Sequence, residues 1–200
     1  MRLYEFDRSD PTEIARYTRR NIRPESTLES WLHIHPELIV DEPLLIIGRQ
    51  VRLDSGVADL VALDMYANVI VVEVKIDRSG TGSASEETIL SQPQNYASDL
   101  STFDYEALDE LYQEYRSRLK AGEWDVTRDD APGSILQSVV EGTFGREFAE
   151  HEFNTEQRLV VVAEEITRRT AANVRYLLEQ GLHFQAAEVQ RFVAPESNGE

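Results

Sequence analysis

The chain has 200 residues, no cysteine, and 37 acidic against 20 basic side chains, for a formal net charge of -17. Without cysteine there are no disulfides, thiolate zinc sites or cysteine nucleophiles, which fits a reducing compartment. So acidic a surface argues against broad electrostatic capture of nucleic acid. Two features temper that exclusion. Lys75 and Lys120 are the only lysines, which leaves arginine, the better bidentate phosphate ligand, as the main cation. An acidic surface also suits a salty cytoplasm, where phosphate contacts weaken. The opening MRLYEFDRSD lacks the apolar run of a signal peptide, and no later stretch is long enough to cross a bilayer. The reading is one soluble, cytoplasmic domain of ordinary size.

Residues 1–24 hold Arg2, Arg8, Arg16, Arg19, Arg20 and Arg23 and read as an N-terminal arm. Its charge is either a phosphate-contacting surface or a solvated segment paired with the protein's own carboxylates, the commoner fate of charge runs. Arg19, Arg20 and Arg23, with Arg49 and Arg52 further on, are the candidate nucleic-acid contacts. Pro24-Glu25-Ser26-Thr27 opens a helix with Ser26 or Thr27 as N-cap, Glu29 in the first turn, and Leu28, Trp31 and Leu32 facing the core. His33 and His35 flank Ile34 before Pro36. With no third ligand in view they read as structural rather than metal-binding. Leu44 to Leu53 is a strand candidate, with Asp54-Ser55-Gly56 as its turn.

The stretch GVADLVALDMYANVIVVEVK, Gly56 to Lys75, organises the rest. Two runs rich in β-branched residues, Val57 to Asp64 and Val69 to Lys75, flank Ala67-Asn68 and predict adjacent strands. Alternation puts Asp59, Val61 and Leu63 on one face of the first, and Val69, Val71, Glu73 and Lys75 on one face of the second. Paired as a hairpin, the strands gather Asp59, Glu73 and Lys75 at one end, with valines beneath. A carboxylate pair at the end of a buried sheet is costly unless a cation offsets it. Mg²⁺ typically takes one or two carboxylates, keeps several waters and draws other oxygens from substrate phosphates. Lys75 then stands where it could position or deprotonate a water, or stabilise charge on a phosphate. The pattern points to metal-assisted hydrolysis of a phosphodiester.

Beyond it, Asp77 to Ser85 (DRSGTGSAS) reads as a polar loop able to cover a substrate, and its glycines do not form a phosphate-binding loop. Ser85 caps a helix from about Glu86 to Leu100, with Gln92 and Tyr96 on one face. Pro93 either kinks this helix or marks its true start. Tyr105, Leu108, Leu111, Tyr112, Tyr115 and Leu119 define a second helix over Phe103 to Leu119. Gly122 and the DDAPG stretch around Pro132 break the chain, and Ile135 to Phe148 forms another helix. Residues 101–151 thus read as a helical insertion in an α/β core. Arg158 to Ala163 is an apolar strand buried on both faces. Thr167 or its neighbour caps a helix through Leu178, Gly181 ends it, and His183 to Val193 is the last strand. Such a strand-helix-strand unit favours parallel pairing. The tail, 194–200, reads as disordered.

With helix, three strands, helix, insertion, strand, helix and strand in that order, the chain resembles a PD-(D/E)XK nuclease. The residues that carry the likeness are Glu29 in the first helix, Asp59 in GVADLVALD, Glu73-Val74-Lys75 in VVEVK, and Gln92 with Tyr96 in QPQNY. Within that superfamily it is most similar to the nuclease half of the NucS (EndoMS) endonucleases and related stand-alone proteins, over about Glu25 to Val193. The resemblance implies a restriction-endonuclease-like αβββαβ core with a mixed central sheet, and a nuclease domain over 25–193. It implies Mg²⁺ or Mn²⁺ held by Asp59, Glu73 and the Val74 carbonyl, with Lys75 serving the attacking water. It places Glu29 behind the metal's ligands or at a second metal, and Gln92 and Tyr96 as orienting groups. The implied activity is metal-dependent endonucleolytic cleavage of DNA, in repair or defence; self-association as a homodimer is the expectation that goes with the apolar stripe from Tyr105 to Leu119. The chain departs from that pattern twice. Only some two dozen residues precede its first core helix, where NucS proteins carry a DNA-binding and dimerisation half. Ile76 follows the lysine, where those enzymes usually have a basic residue. The competing readings are a nuclease-like module that binds nucleic acid or protein without cutting, and a nuclease whose insertion docks a partner through the stripe from Tyr105 to Leu119.

Overall fold

The β-branched runs at the middle of the sequence become the middle of a five-stranded sheet. The structure, a computed structural model, describes residues 3–6, 14–78, 86–124 and 135–195. In chain order these form β1 (Leu3–Phe6), β2 (Ile14–Arg20), α1 (Glu25–Ile34), a one-turn α2 (Glu37–Val40), β3 (Leu45–Leu53), β4 (Gly56–Leu63) and β5 (Val69–Arg78). Then follow α3 (Glu86–Leu100), α4 (Tyr105–Lys120), α5 (Leu136–Phe144), β6 (Gln157–Glu165), α6 (Arg168–Glu179), β7 (Phe184–Glu188) and β8 (Arg191–Val193).

The main sheet has the order β3-β4-β5-β6-β7, with antiparallel pairing from β3 to β5 and parallel pairing from β5 to β7. Mixed pairing follows from the connections. Asp64 Oδ1 accepts the N–H groups of Tyr66 at 2.9 Å and Asn68 at 3.0 Å, an Asx-type turn short enough only for antiparallel neighbours. A parallel neighbour needs a longer crossover, which α6 supplies between β6 and β7. Residues Val69 to Val74 of β5 and Leu159 to Glu164 of β6 are buried without interruption, as expected where both faces of a sheet are covered. Helix α3 packs on β5 and β6, α1 on β4 and β5, and α4 on β3.

Several boundaries differ from the sequence reading for local reasons. Helix α1 begins at Glu25 with Pro24 as N-cap and no side-chain cap. Pro24 is extended, and its carbonyl accepts the Thr27 N–H, so Ser26 and Thr27 lie within the first turn. Pro93 is buried inside α3, which runs through it. Helix α5 stops at Phe144, because Gly145 takes up a left-handed φ of 67. The expected last strand is two strands, β7 in the main sheet and β8 in a separate antiparallel sheet of order β1-β2-β8. The arginine-rich N-terminal segment contributes strands β1 and β2. It is anchored by Ile22, fully buried, whose N–H donates to Glu164 Oε1 at 2.8 Å. The stripe on α4 is core: Leu108, Tyr112 and Tyr115 are buried, which removes the basis for a docking face there. Strand β5 extends to Arg78, and the rest of the expected 77–85 loop, the Ser85 cap, the DDAPG stretch and residues 196–200 lie outside the described residues. Among the described residues, no helix is long and apolar enough to cross a membrane.

One close approach ties β4 to α3. Gly56 has a φ of +147, and a Cβ there would lie 3.0 Å from the Tyr96 hydroxyl oxygen. Gly122, at φ +74, would meet nothing within 4 Å. Gly56→Ala is expected to cost about 1–3 kcal/mol in urea unfolding, and more than Gly122→Ala. Equal costs would show that the Tyr96 contact imposes no constraint.

Candidate active site

Asp59 lies on β4 across from Gln50 of β3, between the pairs Arg49↔Leu60 and Val51↔Ala58. On its other side it stands opposite Glu73 of β5, one step past the last paired residues, Leu60↔Val72. At this end the Asp59 side chain itself takes up a β5 donor: the Val74 N–H donates to Oδ2 at 2.7 Å. The Gln50 amide donates to Oδ1 at 3.1 Å. Directly opposite residues of an antiparallel pair share a face, so the two carboxylates point to the same side of the sheet.

Glu73 is 2% exposed. Its Oε1 accepts from the Lys75 ammonium at 2.6 Å, and its Oε2 is buried with no hydrogen-bond partner among the described residues. Burial pushes the Asp59 carboxyl up to about 7, reinforced by the charges of Glu73 and Glu29 and opposed by the Val74 N–H and Lys75. Burial likewise raises Glu73, with Lys75 opposing and Glu25 and Glu29 adding to the rise. For Lys75, burial alone would pull the ammonium down, but the carboxylates of Glu73, Asp59 and Glu25 outweigh it and hold it above the ordinary lysine value. Burial and then the charges of Glu73 and Asp59 push the Tyr96 hydroxyl up, against a hydrogen bond with the Val57 backbone. Tyr96 is therefore a neutral hydroxyl at the same end of the sheet. Gln92 is half-buried one turn earlier on α3.

Glu29 is buried on α1, and its Oε2 accepts from Gln50 Nε2 at 3.1 Å and from Arg49 Nη2 at 3.4 Å. Arg49, 3% exposed, also donates to the Ser26 carbonyl and the Ser30 hydroxyl. It cannot meet a phosphate at the surface without leaving this cluster. Arg19, Arg20, Arg23 and Arg52 are exposed, and Arg19 donates to the Glu164 carbonyl at 2.9 Å. His33 is buried against the Tyr115 hydroxyl, whereas His35 is exposed beside Glu37. The two histidines do not converge.

Three groups at the site escaped the sequence reading. Glu25 Oε2 accepts the Ile76 N–H at 3.1 Å, and only its position one turn before Glu29 hinted at a shared face. Gln50 and Arg118 gave no signal, because their roles depend on a backbone irregularity in β3 and on a contact between distant segments.

No family model and no curated protein matches the chain. Among solved structures it is similar to a complex of EndoMS with dsDNA, at a TM-score of 0.44 and 13% identity over 94% of this chain and 64% of that one. It is similar also to a repair endonuclease from Pyrococcus abyssi, at 0.46 and 13% over 92% and 71%, and to EndoMS in its apo form, at 0.42 and 13% over 94% and 64%. The chain thus spans a little under two thirds of the EndoMS chains. With every score below 0.5 these likenesses are distant, and the chemistry has to be read from the site.

The raised Asp59 pKa has a measurable sign. The folded state binds this proton more tightly than the unfolded chain, so the stability it contributes is fully present below 3.8, the ordinary value, and is lost as pH rises through about 7. In EDTA, Asp59→Asn is expected to raise the melting temperature at pH 8 and to change it little at pH 4. A variant less stable than the parent at pH 8 would show that Asp59 carries no repulsive strain.

Proposed function

We propose that the protein is a Mg²⁺- or Mn²⁺-dependent endonuclease of the PD-(D/E)XK type that hydrolyses DNA phosphodiester bonds. The observation that carries this reading is the pair Asp59 and Glu73, opposite each other just past the last β4-β5 pair, with Lys75 on one Glu73 oxygen and the other oxygen buried without a partner among the described residues. A buried carboxylate oxygen with no donor is unfavourable, and a divalent cation offsets it. Among the described residues, no group of three or more His, Asp or Glu side chains could hold a metal by itself. Two carboxylates fit an ion that keeps its waters and borrows substrate oxygens, which is the habit of Mg²⁺ rather than of an all-protein cage.

Asp59, Glu73 and the Val74 carbonyl would hold the ion. A bound ion of this kind polarises a phosphoryl oxygen and lowers the pKa of a coordinated water. The rest of the work falls to side chains. Gln50 and the Val74 N–H orient the Asp59 carboxylate, one on each oxygen. Lys75, kept as an ammonium by Glu73, supports a role in stabilising charge on the phosphoryl group and aligning the attacking water. Gln92 and the neutral Tyr96 hydroxyl help to orient the site from α3. Glu29, already engaged by Arg49 and Gln50, fits a supporting place behind Asp59 better than a second metal position. DNA as the substrate, and a setting in repair or defence, follow from the sequence resemblance, and the exposed Arg19, Arg20, Arg23 and Arg52 are the proposed phosphate contacts.

The test is cleavage of labelled single-stranded, duplex, mismatched and forked DNA with Mg²⁺ or Mn²⁺, at low and at molar salt. The parent is expected to cut, and Asp59→Ala and Lys75→Ala each to lose activity by about 10²-fold or more while unfolding cooperatively. Full activity in either variant would overturn the proposal. So would a parent that neither cuts nor binds Mn²⁺, which is the behaviour of a silent binding module.

A further inference from the structure

Gln50 lies outside the motif that marks the site, yet it is the residue on which two of the site's carboxylates meet. Its backbone is left-handed, with φ 49, in the middle of β3. A residue with a Cβ adopts that conformation only where its surroundings hold it there, and such positions gather at functional sites. The surroundings here can be named. Arg118, from α4 of the insertion, donates through Nη1 to the carbonyls of Arg49 at 3.1 Å and Gln50 at 3.3 Å. Its Nε and Nη2 are fixed by the two Glu123 oxygens, each at 2.7 Å. Trp124 packs over the same guanidinium, 4.6 Å from the ring centroid.

The Gln50 side chain then reaches the acidic cluster. Nε2 donates to Asp59 Oδ1 and to Glu29 Oε2, each at 3.1 Å. A primary amide has two N–H bonds, so both are used, one on each carboxylate. Without that bridge two like charges face each other in a poorly solvated cleft and turn apart.

We propose that Gln50 is a positioning residue of this site: held left-handed by Arg118 of the helical insertion, its amide clamps Asp59 to Glu29 and so fixes the direction in which Asp59 presents its remaining lone pairs. The inference rests on the metal-nuclease reading. It also gives the insertion a task, since α4 supplies the group that shapes β3 behind the site.

The test is Mn²⁺ affinity by titration calorimetry, with unfolding in EDTA measured alongside. Gln50→Gly adopts the left-handed backbone at no steric cost and removes the donor. It is expected to fold and to bind Mn²⁺ about 10–100-fold more weakly than the parent. Arg118→Ala is expected to weaken Mn²⁺ binding in the parent but to add nothing in the Gln50→Gly background, because it acts through Gln50. Unchanged affinity in Gln50→Gly, or fully additive losses in the double variant, would overturn the proposal. If the parent binds no Mn²⁺, the metal reading fails by itself, and the clamp is decided in EDTA. Gln50→Gly and Asp59→Asn should then be non-additive in urea unfolding, and additivity would refute the clamp.

Discussion

Repulsion between carboxylates at one end of the β4-β5 pair is the constraint to which the surrounding residues respond. Asp59 and Glu73 are brought together because β-branched runs on either side of a tight Asx turn pair antiparallel and place them on one face. The same burial that makes those strands the core strips water from their charges, which strengthens every electrostatic contact there. Each neighbouring polar group answers part of that cost: the Val74 N–H on Asp59, Lys75 on Glu73, Gln50 between Asp59 and Glu29, and Arg49 on Glu29. The arrangement still leaves one Glu73 oxygen without a partner among the described residues. Hydrogen bonding at that point is incomplete, and this is the observation on which the proposed divalent cation rests.

The rest of the fold holds the cluster in place. Helix α1 contributes Glu29 and also Glu25, whose carboxylate takes the Ile76 N–H and so fastens the helix to β5 just past Lys75. Helix α3 brings Tyr96 against Gly56, where only a glycine leaves room. Helix α4 reaches β3 through Arg118. The small sheet β1-β2-β8 joins the N-terminal segment to the chain beyond β7, and Glu164 secures it through the Ile22 N–H. Structural ion pairs perturb pKa values as functional sites do. Here the carboxyl groups whose pKa values are raised, Asp59 and Glu73, are the ones that converge with Lys75 and Tyr96.

The three residues of the central motif were legible because their placement depends on period-two alternation and on one short turn, both local properties of the sequence. The order of helices and strands in the main sheet was legible for the same reason. The splitting of the last strand was not. Val189 and Gln190 continue an extended pattern, and the handover of Arg191–Val193 to β2 depends on pairing with residues near the other end of the chain. Gln50 was hidden because a glutamine at position 50 does not mark a left-handed residue, whereas glycine or asparagine there would have done so. Among the arginines, composition could not separate buried Arg49 from exposed Arg52, which lie three residues apart on a strand with an irregular register.

The most direct measurement is a crystal structure of the protein grown with Mn²⁺, with the metal located by its anomalous scattering. The expected result is a peak within coordination distance of an oxygen from both Asp59 and Glu73, with the Gln50 amide still on Asp59. Manganese absent from this cleft, or bound only by exposed carboxylates elsewhere, would contradict the assignment of these residues as a metal-dependent active site.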